Sequence, residues 1–148
     1  MRRFKNNRMA WIALAIPLLA AGPAFAQGYL SPLEANKKVV FDFYRLVVEP
    51  RNVDLAGQFV AADYIEHDPQ EQKGLENLIK TVKAMGPPPS EDIGTTLRNA
   101  PAFIMAEGDL VAYIFKDKSK TEEAFSLEVF RLKDRKIVEH WKGLARLP

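Results

Sequence analysis

The sequence of 148 residues contains no cysteine. This absence excludes a disulfide framework, a thiol nucleophile and a thiolate metal site. It also excludes a lipoprotein anchor, because no cysteine is available after the N-terminal apolar run to carry the lipid. The fold must therefore be stabilised by its hydrophobic core.

Several motifs that bind cofactors or supply nucleophiles are missing as well. The glycines are isolated from one another, so no Gly-rich loop can hold a phosphate. No G-x-S-x-G elbow presents a serine nucleophile. The only two histidines, His67 and His140, are too far apart in the chain for a short metal-binding motif. We therefore predict no cofactor and no metal site.

The first 26 residues have the three parts of a cleavable secretory signal. Four basic side chains come first, residues 9–21 form an apolar run, and Ala24 and Ala26 are the small residues that signal peptidase accepts. The run is shorter than the roughly 20 residues of a spanning helix, and an uncleaved anchor is the alternative. We predict a signal peptide over 1–26, one domain over 27–148, a periplasmic or secreted location, and no stable membrane anchor after cleavage.

Removal of this leader changes the charge of the chain. Four of the 21 basic residues lie in it, which leaves 17 basic residues against 19 acidic ones and a net charge of −2. A mildly acidic surface offers no electrostatic basis for binding nucleic acid. We predict no nucleic-acid partner.

The pattern after the leader predicts three helices followed by four strands. Ser31 to Glu34 form a capping box with proline at the first helical position, and Pro50 ends this first helix. Further helices are predicted over 53–60 and 74–84, with a turn-like connection over 63–69. The predicted strands are 92–105, 110–116, 123–132 and 136–144.

This order of elements is an α+β pattern. We predict a curved antiparallel sheet packed on three N-terminal helices. Such a sheet would enclose a pocket against the helices, and a ligand would bind there.

Glu128 is the strongest candidate for chemistry. It lies in the middle of a predicted strand and shares a face with Phe130 and Leu132. If that face is concave, the carboxylate points into an apolar cavity, where it can act as a general acid or base. The alternative is a solvent-facing glutamate paired with a nearby basic residue.

The two histidines are the other candidates. His67 lies between two acidic residues that can orient an imidazole, which suits an acid/base or substrate-orienting role, although it can equally cap a turn. On the last strand, Trp141 shares one face with Glu139, and His140 lies on the other. Trp141 suits a ligand wall or the core. His140 lines the pocket only if its own face is the concave one.

Four segments together resemble the SnoaL-like polyketide cyclase family, within the superfamily of nuclear transport factor 2 and ketosteroid isomerase. They are D-Y-I-E-H-D-P at 63–69, E-G-D-L-V at 107–111, V-F-R at 129–131 and K-I-V-E-H-W at 136–141. The resemblance implies a cone-shaped α+β fold with a deep pocket, no cofactor, and homodimers formed through the outer sheet.

The resemblance also implies site residues. Glu128 takes the position of the family's catalytic aspartate, and His67 matches a family histidine. Ile114 stands where the family has a helper histidine, and Lys142 stands where it often has aspartate.

We therefore predict a pocket for a small apolar or amphipathic molecule. Glu128 and His67 are its predicted catalytic residues, in cofactor-free isomerisation, aldol or hydration chemistry. The alternative is a non-catalytic binding or dimerising module on the same fold. The predicted substrate-binding residues are Tyr44, Tyr64, Tyr113, Ile114, Trp141 and His140.

Overall fold

The computed structural model describes residues 30–88, 97–116 and 124–146. The predicted signal peptide lies outside these residues, as does the start of the strand predicted over 92–105. Among the described residues, no helix is both long and apolar enough to cross a membrane.

Three helices precede most of the sheet. Helix α1 spans Pro32–Phe43, and the Ser31 side chain accepts a hydrogen bond from the Glu34 N–H at 3.2 Å, which confirms the predicted start of the helix at Ser31. The chain continues as one π-helical turn, Tyr44–Val48, and leaves the helix before Pro50. The second predicted helix consists of a 3-10 turn, Val53–Leu55, and a short α-helix that follows it directly. Helices α2 and α3 span Ala56–Phe59 and Leu75–Ala84.

Five strands form one mixed sheet in the order β1-β5-β4-β3-β2. The neighbours from β2 to β5 pair antiparallel, and β1 pairs parallel with β5. The strands are β1 Val60–Glu66, β2 Phe103–Glu107, β3 Leu110–Lys116, β4 Ala124–Lys133 and β5 Lys136–Arg146.

Strand β1 corrects the prediction of a turn-like connection over 63–69 and adds one parallel strand to the predicted antiparallel sheet. The segment pairs with β5, a partner more than 70 residues away, with Glu66 opposite His140. The hydrogen bonds that make it a strand come from this distant partner, so the local sequence does not reveal them.

An irregularity in β5 decides which of its side chains point inward. Arg131 is opposite Glu139, but Leu132 is opposite Ile137, so Val138 is an extra residue in the ladder. A regular strand would place Ile137 and His140 on opposite faces. The bulge puts both on the face that the helices cover.

The core lies between the helices and this inner face of the sheet. It joins buried side chains of α1 and the π-helical turn to buried side chains of all strands except β2. Its fully buried members include Val40, Val47, Val60, Val111, Tyr113 and Ile137.

Candidate active site

A cavity of about 380 Å³ lies between the inner face of the sheet, the π-helical turn and α3. Its apolar lining includes Phe43, Val48, Leu78, Val82, Phe115 and Phe130. Its polar lining is concentrated on the strands and the π-helical turn, and includes Tyr44, Tyr64, Glu66, Glu128 and His140. An apolar cavity with a few convergent polar groups is the usual form of a small-molecule site.

Strand register brings the polar groups together. Glu66 of β1 is opposite His140 of β5, and His140 is opposite Phe130 of β4. Glu128 lies two residues before Phe130, on the same face. Three strands therefore place two carboxylates on either side of one imidazole.

His140 is the centre of this arrangement. Its Nδ1 lies 2.8 Å from Glu66 Oε2, and its ring stacks on Phe130 with 4.6 Å between the ring centroids. Its Nε2 lies 3.4 Å from Glu128 Oε2, at ion-pair distance but without the geometry of a hydrogen bond. Burial by itself would lower the pKa of His140, but the carboxylates of Glu128 and Glu66 outweigh it and raise the pKa to about 9. The imidazole is therefore a cation at neutral pH, and its buried Nε2–H has no hydrogen-bond acceptor among the described residues.

Glu66 holds that imidazole in place. Its carboxylate accepts hydrogen bonds from the Tyr64 hydroxyl at 2.5 Å and from the Asp68 N–H at 3.0 Å, besides facing His140. Burial works to raise the pKa of Glu66, but the bonds from His140, Tyr64 and Asp68 together lower it to about 2. Glu66 is thus ionised and already engaged, which suits a positioning group better than a base.

Glu128 is the carboxylate that remains open to the cavity. It is 7% exposed, and it accepts a hydrogen bond from the Tyr44 hydroxyl. Tyr44 is the first residue of the π-helical turn, and such turns often occur at functional sites. Glu128 therefore lines the cavity from the inner face of β4 and is not a solvent-facing strand residue.

The described residues contain no group of three or more side chains arranged to hold a metal ion. The carboxylates nearest to His140 bind the imidazole and the tyrosines instead. Two further ionisable residues, Glu71 and Lys142, line the cavity. With His140 protonated, the formal charges of the three glutamates, His140 and Lys142 leave the cavity one negative charge in excess.

The structure brings four of the predicted site residues to this cavity: Tyr44, Tyr64, Glu128 and His140. Tyr113 is buried directly behind Tyr44, with 4.4 Å between the stacked rings. It stands opposite Glu128 in the β3–β4 register.

Three predicted residues are not brought to the cavity. His67 and Trp141 stack on each other on the outer face, where His67 Nε2 also lies 2.9 Å from Glu139 Oε2. His67 is one residue after the inward-pointing Glu66, so the alternation of the strand turns it away. Ile114 pairs with Leu127 on the outer face for the same reason. His67 therefore cannot partner Glu128 as predicted, and Ile114 does not occupy a place beside it.

Glu66 is the site residue that sequence reasoning misses, because the local pattern marks it only as an acidic neighbour of His67. The available signal was its spacing from Tyr64, which puts both side chains on one face of any extended segment. That signal depends on recognising β1 as a strand.

Comparisons with known proteins agree on the fold. A family model described as SnoaL-like domain matches residues 40–140, and no curated protein matches the sequence. A candidate polyketide cyclase from Acidithiobacillus ferrooxidans is 17% identical with a TM-score of 0.53, over 79% of this chain and 92% of its own. A candidate ketosteroid isomerase from Kribbella flavida is 11% identical with a TM-score of 0.57, over 78% and 82%.

An LEH-like epoxide hydrolase from M. tuberculosis is 10% identical with a TM-score of 0.54, over 78% of this chain and 86% of its own. At such identities, similarity to these structures shows a shared fold but does not show a shared activity or substrate. The family model, by contrast, matches well over half of the chain. Together with the helices packed on a curved sheet around a cavity, this match shows that the chain belongs to the SnoaL-like domain family.

Proposed function

We propose that this SnoaL-like domain binds a small, largely apolar carbonyl compound and catalyses cofactor-free proton transfer on it. Glu128 is the base, and His140 donates a hydrogen bond to the oxygen on which negative charge develops. The observation that supports this best is the pair formed by Glu128 Oε2 and His140 Nε2, which lie 3.4 Å apart and line the same cavity. A base and a cationic donor at that spacing can contact the carbonyl oxygen of one substrate and the carbon next to its carbonyl group.

The proposed step begins with Glu128 taking a proton from the carbon next to the carbonyl group. The electron pair of that C–H bond forms the carbon–carbon double bond of an enolate, and the carbonyl oxygen gains the negative charge. The His140 Nε2–H stabilises that oxygen by a charge-assisted hydrogen bond. In a substrate with a carbon–carbon double bond at the β,γ position, this enolate is a conjugated dienolate. Return of the proton from Glu128 to the γ-carbon re-forms the carbonyl group and moves the carbon–carbon double bond into conjugation with it, which completes an isomerisation.

The other polar groups have supporting roles in this proposal. Glu66 keeps the imidazole charged and oriented through the 2.8 Å contact with Nδ1. Tyr44 orients the Glu128 carboxylate. The role predicted for His67 passes to His140, because His67 lies on the outer face. The candidate polyketide cyclase and ketosteroid isomerase among the structural relatives bear names that fit acid/base chemistry on carbonyl compounds.

Deuterium exchange tests the enolisation step without knowledge of the natural substrate. The purified protein is incubated in D₂O with cyclohexanone and with 2-tetralone, and exchange at the carbon next to the carbonyl is followed by NMR. We expect exchange above the buffer rate, and a loss of roughly 100-fold or more in Glu128→Gln, which is typical for a general base. Glu139→Gln is the matched control, because Glu139 is a strand glutamate on the outer face.

Equal exchange in the wild type and Glu128→Gln would refute Glu128 as the base. Saturable binding of both ketones with no exchange in any variant would favour the non-catalytic binding module. The predicted leader further leads us to propose that the protein acts outside the cytoplasm. Fractionation of cells that express the full chain tests that location, and recovery in the cytoplasmic fraction would contradict it.

A further inference from the structure

A second chamber of about 400 Å³ adjoins the first one at Tyr44. Tyr44, Val48 and Phe115 line both chambers, whereas Tyr113, Glu49 and Arg51 line only the second. The proton-transfer site does not use this second chamber, so its polar groups need a separate explanation.

Two buried groups in the lining have no hydrogen-bond partner among the described residues. They are the hydroxyl of Tyr113 and the Nε of Arg51. Tyr113 is 1% exposed, so bulk solvent does not supply a partner for its hydroxyl. Buried polar groups are nearly always paired, and an unpaired one destabilises the fold. Phenylalanine would occupy the same place as Tyr113 without that penalty, so the hydroxyl is explained best by a ligand.

The surrounding backbone holds Arg51 in position. Its φ is 58°, in the left-handed region that a non-glycine residue rarely adopts outside functional sites and turns. One terminal nitrogen of its guanidinium donates to the Val48 carbonyl and lies 3.3 Å from the Glu49 carbonyl. These bonds to the end of the π-helical turn do not use the Nε–H, which has no acceptor among the described residues, and Arg Nε can only donate.

Glu49 does not compete for the free donors. Its two carboxylate oxygens accept the N–H groups of Arg98 and Asn99, at 2.9 and 2.8 Å. It therefore fixes one wall of the chamber. Burial, followed by the charge of Glu49, raises the pKa of Tyr113, which keeps the phenol protonated and able to donate.

The two chambers differ in the net charge of their linings. The described lining of the second contains two cations, Arg51 and Arg98, against the single carboxylate of Glu49, an excess of one positive charge. The first has an excess of one negative charge. An anionic group on a ligand is therefore favoured in the second chamber and disfavoured beside Glu128.

We propose that the second chamber is a subsite for a carboxylate carried by an otherwise apolar ligand, held by the Tyr113 hydroxyl and the Arg51 Nε–H. The ligand class is an aryl or alkyl carboxylic acid whose apolar body packs against Tyr44, Val48 and Phe115. This inference goes beyond the proposed proton transfer and does not depend on it.

Binding of two probes of similar shape tests the subsite. The first probe is 4-phenylbutyrate, and the second is (4-methylpentyl)benzene, in which two methyl groups replace the carboxylate oxygens. Ligand-observed NMR with the purified protein measures both affinities. We expect 4-phenylbutyrate to bind at least ten-fold more tightly, since bonds to a charged acceptor are the stronger ones.

Substitutions then assign the donors. Tyr113→Phe is expected to weaken 4-phenylbutyrate about ten-fold, to leave the hydrocarbon unchanged, and to keep or raise the melting temperature because it removes an unpaired hydroxyl. Arg51→Gln is expected to weaken the carboxylate probe at least as much. Arg131→Gln is its matched control, because Arg131 lies on the outer face, where it pairs with Glu139.

Glu128→Gln distinguishes this proposal from the proposed catalysis. It is expected to retain the preference for 4-phenylbutyrate even where proton transfer is lost. Equal affinities of the two probes in the wild type would overturn the subsite, and so would an unchanged affinity ratio in Tyr113→Phe.

Discussion

The stability of this protein should fall as the pH rises through the titration of His140. The raised pKa, about 9 against an ordinary value of 6.5, means that the folded state binds the imidazole proton more tightly than the unfolded chain does. The stabilisation is complete below pH 6.5 and is lost as the pH rises through 9. At ~1.4 kcal/mol per pH unit, the interval between these two pKa values corresponds to roughly 3 kcal/mol in the free energy of unfolding.

The contribution of the neighbouring carboxylate, Glu66, changes with pH in the opposite direction. The pKa of Glu66 is lowered from 4.5 to about 2, so its contribution is complete above pH 4.5 and is lost as the pH falls through 2. Together, Glu66 and His140 favour maximal stability between about pH 4.5 and 6.5. A loss of roughly 3 kcal/mol is large beside the ~5–15 kcal/mol that stabilises a typical domain.

Urea unfolding at pH values from 6 to 10 measures this loss. His140→Gln should give a flatter profile, from a lower starting stability, because two carboxylates stay buried without the cation. His67→Gln is the matched control and should keep the wild-type slope, since His67 lies on the outer face of the sheet.

An NMR titration gives an independent result on the unmodified protein. The chain has two histidines, so two imidazole signals suffice for the assignment. A His140 signal that titrates near 6.5, or a His140→Gln profile as steep as the wild type, would refute the proposed imidazolium between Glu66 and Glu128.

Two further predictions concern β5 and the turn before it. Ile137→Ala should reduce the free energy of unfolding by roughly 2–5 kcal/mol, because Ile137 is 1% exposed and packed in the core; in urea unfolding, a loss no larger than that of Val138→Ala would contradict the inward bulge. Arg135→Gly should stabilise the protein by about 0.5 kcal/mol, because Asp134 and Arg135 have φ of 50° and 62°, as in a type I′ hairpin turn that prefers glycine. A lower melting temperature for Arg135→Gly than for the wild type would count against that interpretation.

Local sequence patterns were sufficient for most of the secondary structure. The capping box at Ser31 predicted the start of α1, because the groups that satisfy the first N–H donors are themselves local. Alternation in β4 correctly grouped Glu128 with Phe130 and Leu132. The strand predicted over 92–105 was placed too early in the chain. Residues 97–102 do not pair with the sheet, and the described strand is Phe103–Glu107.

The composition of the site was decided by contacts between distant segments. The parallel pairing of β1 with β5 brings Glu66 opposite His140, and the bulge at Val138 turns His140 inward and leaves Trp141 outside. Neither the pairing partner nor the extra residue follows from a period of two. The sequence therefore favoured His67, whose flanking acids are visible locally, over His140.

The sequence by itself determined the helices, four of the five strands, the family and the choice of Glu128 as a candidate, because hydrophobic periodicity, capping and motifs are properties of neighbouring residues. Only the tertiary structure decided which histidine lies beside Glu128, and that Tyr113 and Arg51 line one chamber. The physical reason is that strand register and chamber walls depend on the packing of segments that are far apart in the chain.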